Sequence, residues 1–254
     1  MRFMYWPERL WRQCITLFCF VLFGVGGVLL SFIWFNGLFL FCRNKPLRVR
    51  LARRSVSYSF RLFLWVTKVL GVMSYTVDGA EKLHQDKGCL ILANHPTLLD
   101  YVLIASVMPD VDCLVKSALL RNPFVSGVIR ACHYLVNNQH DILLEESRDR
   151  LAQGDNLLIF PAGTRTTPGV RTPFQRGAAN IALRCDCPVR FIHIYNSETA
   201  LTKQSRWYDI PQQKLRYNIV IGERLESDQL IDPKTELPSL RARQLTRVFE
   251  NRLL

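Results

Sequence analysis

Thirty consecutive residues, 13–42, carry no charge and are rich in Phe, Leu and Val. A bilayer core takes about 20 apolar residues, so a run of this length crosses with tilt or with a flexible stretch around Asn36-Gly37. The competing accounts are a signal peptide, a buried core helix and a re-entrant hairpin bent near Asn36-Gly37. The run is too long for a signal h-region and has no clear small-residue cleavage site, which favours a retained anchor. A chain of 254 residues that begins this way leaves room for one further globular domain.

The flanks of the run orient it. Arg43, Lys45, Arg48, Arg50, Arg53 and Arg54 lie within twelve residues without one acid, whereas the N-terminal flank has Arg2, Arg9 and Arg12 with Glu8. By the positive-inside rule the richer flank is cytoplasmic, so the expected place is the cytoplasmic membrane with the following domain facing the cytoplasm. Cations near such a surface gain about 1 kcal/mol each from anionic head groups. From Leu47 to Tyr75, Arg alternates with Phe60, Leu62, Phe63, Leu64, Trp65 and Val69. That reads either as a basic amphipathic interfacial helix or as a core helix. The formal charge of +12 calls for anionic partners. Its cations crowd beside the anchor and no nucleic-acid-binding motif is present, so membrane lipids and not nucleic acid are the expected partners. The eight cysteines show no C-x-x-C spacing and read as buried free thiols, so no metal is expected.

Beyond the anchor the pattern alternates. Short apolar runs at 89–93, 112–115, 134–136, 156–160 and 188–195 read as buried strands, with helical stretches at 97–107, 119–131, 142–153 and 174–184 between them. Alternation of this kind predicts an α/β fold, a mostly parallel sheet flanked by helices, preceded by the N-terminal membrane-anchoring helical segment. Sites in such sheets lie beyond the carboxyl ends of the strands. Residues 215–221 add a strand, and Leu240, Leu245, Val248 and Phe249 at helical spacing predict a closing helix over Pro238–Leu253. The chain divides into an anchor at 1–45, the basic interfacial helix region at 46–77 and a catalytic domain at 78–254.

Two segments close apolar runs with chemistry. In Asn94-His95-Pro96-Thr97-Leu98-Leu99-Asp100 the histidine and aspartate would sit about 140° apart on a continuous helix and would not meet. Pro96 disfavours the α conformation at His95 and suits the first helical position. His95 therefore belongs outside the helix, where its ring turns back to Asp100. Asp100 can fix the tautomer and leave the other ring nitrogen as a general base. The competing account is plain capping of the helix by the same residues. With no nucleophilic Ser or Cys in evidence, the base would activate a hydroxyl on the substrate. The second segment, Phe160-Pro161-Ala162-Gly163-Thr164-Arg165, offers a close-approach glycine, a hydroxyl and a bidentate guanidinium to a phosphate.

Both segments in this order resemble the glycerolipid acyltransferase family, particularly the 1-acylglycerol-3-phosphate acyltransferases, over about residues 79–195. Asn94, His95 and Asp100 match the N-H-x-x-x-x-D motif. Phe160, Pro161, Gly163, Thr164 and Arg165 match F-P-E-G-T-R. The stretch from Val115 through Pro123, Gly127 and Arg130 resembles V-A-K-x-E-L…P…G…R, Phe174-Gln175-Arg176-Gly177-Ala178 resembles F-K-x-G-A, and Cys187-Pro188-Val189 resembles the fourth motif. The resemblance implies that His95 is the base, Asp100 orients it, and Gly163, Thr164, Arg165, Lys116 and Arg176 bind an anionic acceptor head group. It also implies an acyl thioester of acyl carrier protein or coenzyme A as donor, with no tightly bound cofactor.

Two positions depart from the family pattern. Ala162 replaces the usual glutamate, and Val136-Asn137-Asn138 lacks the acidic-basic pair of the second motif. Both fall in the acceptor half of the site, which predicts altered acceptor recognition with His95 and Asp100 intact. A catalytically idle lipid-binding member of the same fold is the alternative, and Ala162 is the feature that favours it.

Overall fold

The computed structural model describes residues 6–137, 140–166, 170, 172–197, 201–202, 214–231 and 237–253. Asn138, in the departed second motif, lies outside them. The uncharged run is helical throughout, as α1 (Trp6–Leu29), a π-helical turn (Leu30–Trp34) and α2 (Phe35–Phe41). The helix continues through Asn36-Gly37 without a hairpin, and the Asn36 side-chain amide donates to the Phe32 carbonyl one turn back, at 2.7 Å. Among the described residues, 10–41 are the one helix long and apolar enough to cross a membrane.

Reversal comes at 42–44. Asn44 caps α3 (Lys45–Val69) by accepting from Leu47 N at 3.1 Å, with proline in the first turn. Helix α3 then runs back along the anchor. Phe23 lies against Phe60 and Phe63 with ring centroids 6.1 and 5.2 Å apart, Trp34 Nε1 donates to Ser55 Oγ at 2.8 Å, and the Arg48 guanidinium sits over the Phe39 ring. On another side a Cβ at Gly127 would collide with Ser31. The second half of the apolar run is thus held by the globular domain, where the sequence suggested a separate segment.

Helix α3 carries two apolar faces. Ala52, Val56 and Leu64 enter the core, while Leu47, Leu51, Tyr58, Leu62, Trp65 and Val69 form an exposed stripe at helical spacing. The cations divide in the same way. Arg54 pairs with Asp110 at the surface, but Arg53 is 5% exposed and reaches Asp112 at 2.7 Å and Asp155 at 3.3 Å. Arg150 completes that cluster on Asp112. Burial opposes the Arg53 charge, yet Asp112 and Asp155 outweigh it and hold its pKa up. Burial also raises the pKa of Asp112 against the pull of its two arginines. Arg53 therefore fastens α3 to the sheet and is not a lipid-facing cation. The region expected as interfacial helix to residue 77 divides as well: α3 ends at Val69, and β1 (Met73–Asp78) is a strand at the sheet edge.

After β1 come α4 (Ala80–Gln85), β2 (Leu90–Ala93), α5 (Asp100–Val107), β3 (Asp112–Lys116), α6 (Pro123–Ala131), β4 (Leu135–Asn137) and α7 (His140–Ala152). Then follow β5 (Leu157–Ile159), α8 (Gly177–Cys185), β6 (Val189–Asn196), β7 (Leu215–Leu225) and α9 (Pro238–Leu253). The helix expected over 119–131 is broken at Asn122, whose side chain caps α6 by accepting from Phe124 N, after a 3₁₀ turn at Ser117–Arg121. The seven strands order as β1-β7-β6-β2-β5-β3-β4, parallel except for β6 with β7.

Burial on both faces explains why the central strands read as unbroken apolar runs. In β2, Ile91 and Ala93 join the core beneath α3 and α5, whereas Leu90 and Leu92 join the core beneath α7, α8 and α9. The same alternation puts Leu158 on the first face and Leu157 and Ile159 on the second. The register pairs Leu92 with Ile159 and Leu158 with Cys113, so β2, β5 and β3 finish at one edge of the sheet. Both motifs leave the sheet there.

Candidate active site

His95 follows β2 and turns its ring onto the start of α5. Nδ1 is 2.7 Å from Asp100 Oδ2. Asp100 is fully buried and takes two more hydrogen bonds, from Thr97 N to Oδ2 at 2.8 Å and from Thr97 Oγ1 to Oδ1 at 2.5 Å. Thr97 Oγ1 in turn accepts from Leu99 N at 3.3 Å. The carboxylate thus satisfies the Thr97 backbone donor, one half of a capping box, while the Thr97 hydroxyl accepts from Leu99 N and not from Asp100 N. Pro96 consequently precedes the cap and does not occupy the first helical position. The regular helix begins at Asp100, three residues later than the spacing suggested. Capping and orientation of the imidazole are thus not alternatives, because one carboxylate does both.

Three further contacts hold the ring and its loop. Phe160 stacks on the imidazole with centroids 4.3 Å apart at 26°. Thr166 N donates to the His95 carbonyl at 2.7 Å, tying the second segment to the first. Asn94 brackets β6, accepting from Ile194 N at 2.7 Å and donating to its carbonyl at 2.9 Å. The histidine side chain keeps 22% of its surface exposed, so Nε2 is the nitrogen available to a substrate. Among the described residues neither a serine nor a cysteine hydrogen-bonds to the ring. The arrangement can take a proton from a hydroxyl brought to it.

The remaining candidates lie at the same edge. Gly163 closes a turn by donating its N–H to Phe160 O at 2.9 Å, at φ +64°, a conformation that favours glycine. Thr164 is half-buried beside it. Arg165 Nη1 donates to the carbonyls of Leu201 and Thr202 at 3.0 and 2.9 Å, and Leu98 N donates to the same Leu201 carbonyl. This arginine therefore braces the wall of the site with one nitrogen. Lys116 ends β3, exposed, two strands over from β2, about 10 Å at ordinary strand spacing. Arg176 is exposed at the amino end of α8, next to Gln175, whose side chain neighbours Gly163. His95, Asp100 and the Arg165 loop are in one hydrogen-bonded unit. Lys116 and Arg176 are exposed at the end of β3 and at the start of α8, without a hydrogen bond to that unit among the described residues.

Ala162 is buried in the second core with Phe174 and Ala178. The loop has its order without a carboxylate there. Gln175 N donates to Pro161 O at 2.8 Å, and Glu250 of α9 accepts from Phe174 N at 2.7 Å. Thr97, Phe160 as a platform for the ring and the 201–202 segment were not singled out from the sequence. The pattern Thr-x-x-Asp was a readable signal for Thr97; the others arise from loops that meet only in three dimensions.

A doubly covered, mostly parallel sheet with an Asp-held histidine beyond its carboxyl edge defines an acyltransferase-type domain. The acyltransferase family model matches residues 74–194, so this stretch is a domain of that family. A 1-acyl-sn-glycerol-3-phosphate acyltransferase of Pseudomonas aeruginosa is 27% identical over 172 residues, covering 63% of each chain. The human alpha isoform of that name is 25% identical over 236 residues, covering 83% of this chain and 81% of its own. Among the first relatives, the match spans less than two thirds of the relative's length: 63% of the Pseudomonas protein and 57% of a putative Caenorhabditis elegans counterpart. The structure of PlsC, the 1-acyl-sn-glycerophosphate acyltransferase of Thermotoga maritima, superposes with a TM-score of 0.65 at 17% identity, covering 95% of this chain and 97% of that one. That likeness concerns the fold.

Proposed function

We propose that this protein transfers a fatty acyl group from a thioester to the free hydroxyl of 1-acylglycerol-3-phosphate or a related lysophospholipid. The observation that carries the reading is the His95 Nδ1–Asp100 Oδ2 contact beside an exposed ring nitrogen. Nε2 takes the hydroxyl proton as the oxygen attacks the thioester carbonyl; the tetrahedral intermediate collapses and the leaving sulfur takes that proton as the thiol. Asp100 stabilises the imidazolium formed between the two steps. The head-group phosphate meets Lys116, Arg176 and the outward side of the Gly163-Thr164-Arg165 turn. The donor is acyl-acyl carrier protein or acyl-coenzyme A, and the net charge of +12 suits either anionic carrier.

The measurement is thioester consumption by detergent-purified protein with both donors and a panel of acceptors that share the glycerol but differ in head group. Turnover with 1-acylglycerol-3-phosphate and little with the dephosphorylated acceptor supports the reading, and the absence of turnover with every acceptor sinks it in favour of a lipid-binding role. Lys116→Ala is expected to raise acceptor KM about tenfold with kcat nearly unchanged, the mark of a lost ground-state contact.

The same reading places the protein on the cytoplasmic membrane with its catalytic domain toward the cytoplasm. Support comes from the free apolar face of residues 10–41 and the exposed stripe of α3, which together carry Phe18, Phe32, Phe41, Leu62 and Trp65. An apolar surface of that extent, edged by arginines, suits lipid. Purified protein is expected to float with anionic liposomes, and Leu62→Asp with Trp65→Asp to weaken that flotation. Full recovery of the double variant in the lipid fraction would remove α3 from the membrane surface.

A further inference from the structure

Tyr217 stands in β7, two strands from the histidine loop, and no motif of the sequence includes it. It is 2% exposed and belongs to the core shared by Ala93, Val102 and Ile194. Its register partners are Tyr75 in β1 and Asn196 in β6, which put it near the catalytic edge of the sheet. The phenol oxygen is buried and, among the described residues, has no hydrogen bond of ordinary geometry. A buried hydroxyl without a partner costs about 1–3 kcal/mol, so its presence calls for a reason. Burial first of all raises the pKa of this phenol, and the neighbours that act on it are the Thr97 hydroxyl and the Asp100 carboxylate. It is a neutral O–H at any physiological pH.

Thr97 Oγ1 gives its one proton to Asp100 Oδ1 and accepts from Leu99 N, which leaves one lone pair vacant. The phenol O–H is a buried donor without a partner among the described residues, and the neighbouring Thr97 hydroxyl oxygen has a lone pair to accept it. We infer that Tyr217 is a positioning residue for the base, closing a chain Tyr217–Thr97–Asp100–His95 as its hydroxyl swings onto Thr97. In that chain the phenol polarises the Thr97 hydroxyl, and the Asp100 carboxylate is held in the one orientation that serves His95 Nδ1. The contact tightens when the ring becomes imidazolium and the carboxylate is drawn fully toward it. Apo geometry of catalytic hydrogen bonds is often long in this way.

This inference rests on His95 acting as the base, and its test separates the two. Tyr217→Phe keeps the packing and removes only the hydroxyl. Acyl transfer is expected to lose about tenfold in kcat with KM within about twofold, since the interaction acts on the transition state. Thr97→Val should lose a similar factor. Because the phenol acts through Thr97, the double variant should be no slower than Thr97→Val alone. A Tyr217→Phe enzyme with unchanged kcat, or losses that multiply in the double variant, overturns the inference. Carbethoxylation of His95 by diethylpyrocarbonate, followed by peptide mass spectrometry, needs no substrate. The labelling rate is expected to fall about threefold or more in Tyr217→Phe at a melting temperature no lower than the parent's, as the ring loses its fixed orientation. Equal rates overturn the chain even where acyl transfer is robust. A slower rate in a preparation that transfers no acyl group upholds the chain and disposes of the enzymatic reading alone.

Discussion

Replacing His95 with alanine is expected to lower acyl transfer by about a thousandfold while leaving the melting temperature close to that of the parent. A positioned general base contributes about 10²- to 10⁴-fold, and the loss falls in kcat because the base acts on the hydroxyl only as it attacks. The structural side effect is small. His95 keeps its backbone carbonyl for Thr166, and the lost contacts are one face of Phe160 and one of the three hydrogen bonds to Asp100. Thioester release should be followed at saturating acceptor, in parallel with thermal unfolding in detergent. Equal kcat in the two proteins would remove His95 from the chemistry and leave the site a binding cleft.

Asp100→Asn is expected to cost nearly as much activity, about two to three orders of magnitude, and to differ from His95→Ala in also lowering stability. An amide nitrogen facing Nδ1 donates where the carboxylate accepted. The imidazole then carries its proton on Nε2, and no base is left toward the substrate. The same substitution reverses part of the capping box, because Thr97 N and Thr97 Oγ1 both donate to this carboxylate. One of those donors loses its partner in a site with no solvent, at a cost of about 1–3 kcal/mol. Activity and unfolding measured on one preparation separate the two effects. A stable Asp100→Asn protein with full activity would mean that the aspartate neither holds the tautomer nor caps the helix.

The comparison of residue patterns with the fold divides by range. Strands β2 and β5 were legible because burial on both faces leaves no polar residue in them, and α9 because its apolar residues recur at helical spacing. Helix α3 was legible as amphipathic, but not as two-faced. Its position under α5 depends on Arg53 reaching Asp112, fifty-nine residues on, and an arginine beside five other cations looks like one more surface charge. The edge strand β1 was missed for a similar reason. Its Tyr75 and Val77 gain burial only from pairing with β7, about 140 residues later.

Within the site, local chemistry was readable and convergence was not. Pro96 and the five-residue spacing foretold a histidine outside the helix facing Asp100, since backbone restriction acts between neighbours. Arg165 was read as a phosphate ligand from its glycine-hydroxyl-guanidinium context. Its contact with the 201–202 carbonyls depends on a loop between two strands that happen to pair antiparallel. Ala162 was read as altering acceptor recognition because a carboxylate is absent. In the fold its methyl faces the second core, and α9 supplies Glu250 to the adjacent backbone.

By itself, then, the order of residues determined a long uncharged apolar helix, an α/β domain and the histidine–aspartate pair, because each follows from interactions within about one helical turn or one strand. Only the tertiary structure decided that the long apolar helix is clasped by the domain and that Phe160 supports the ring. Those arrangements join residues such as Trp34 with Ser55, His95 with Phe160 and Ser31 with Gly127, which lie 21, 65 and 96 positions apart. Nothing in local propensity selects such partners; they are chosen by how two cores close over the two faces of one sheet.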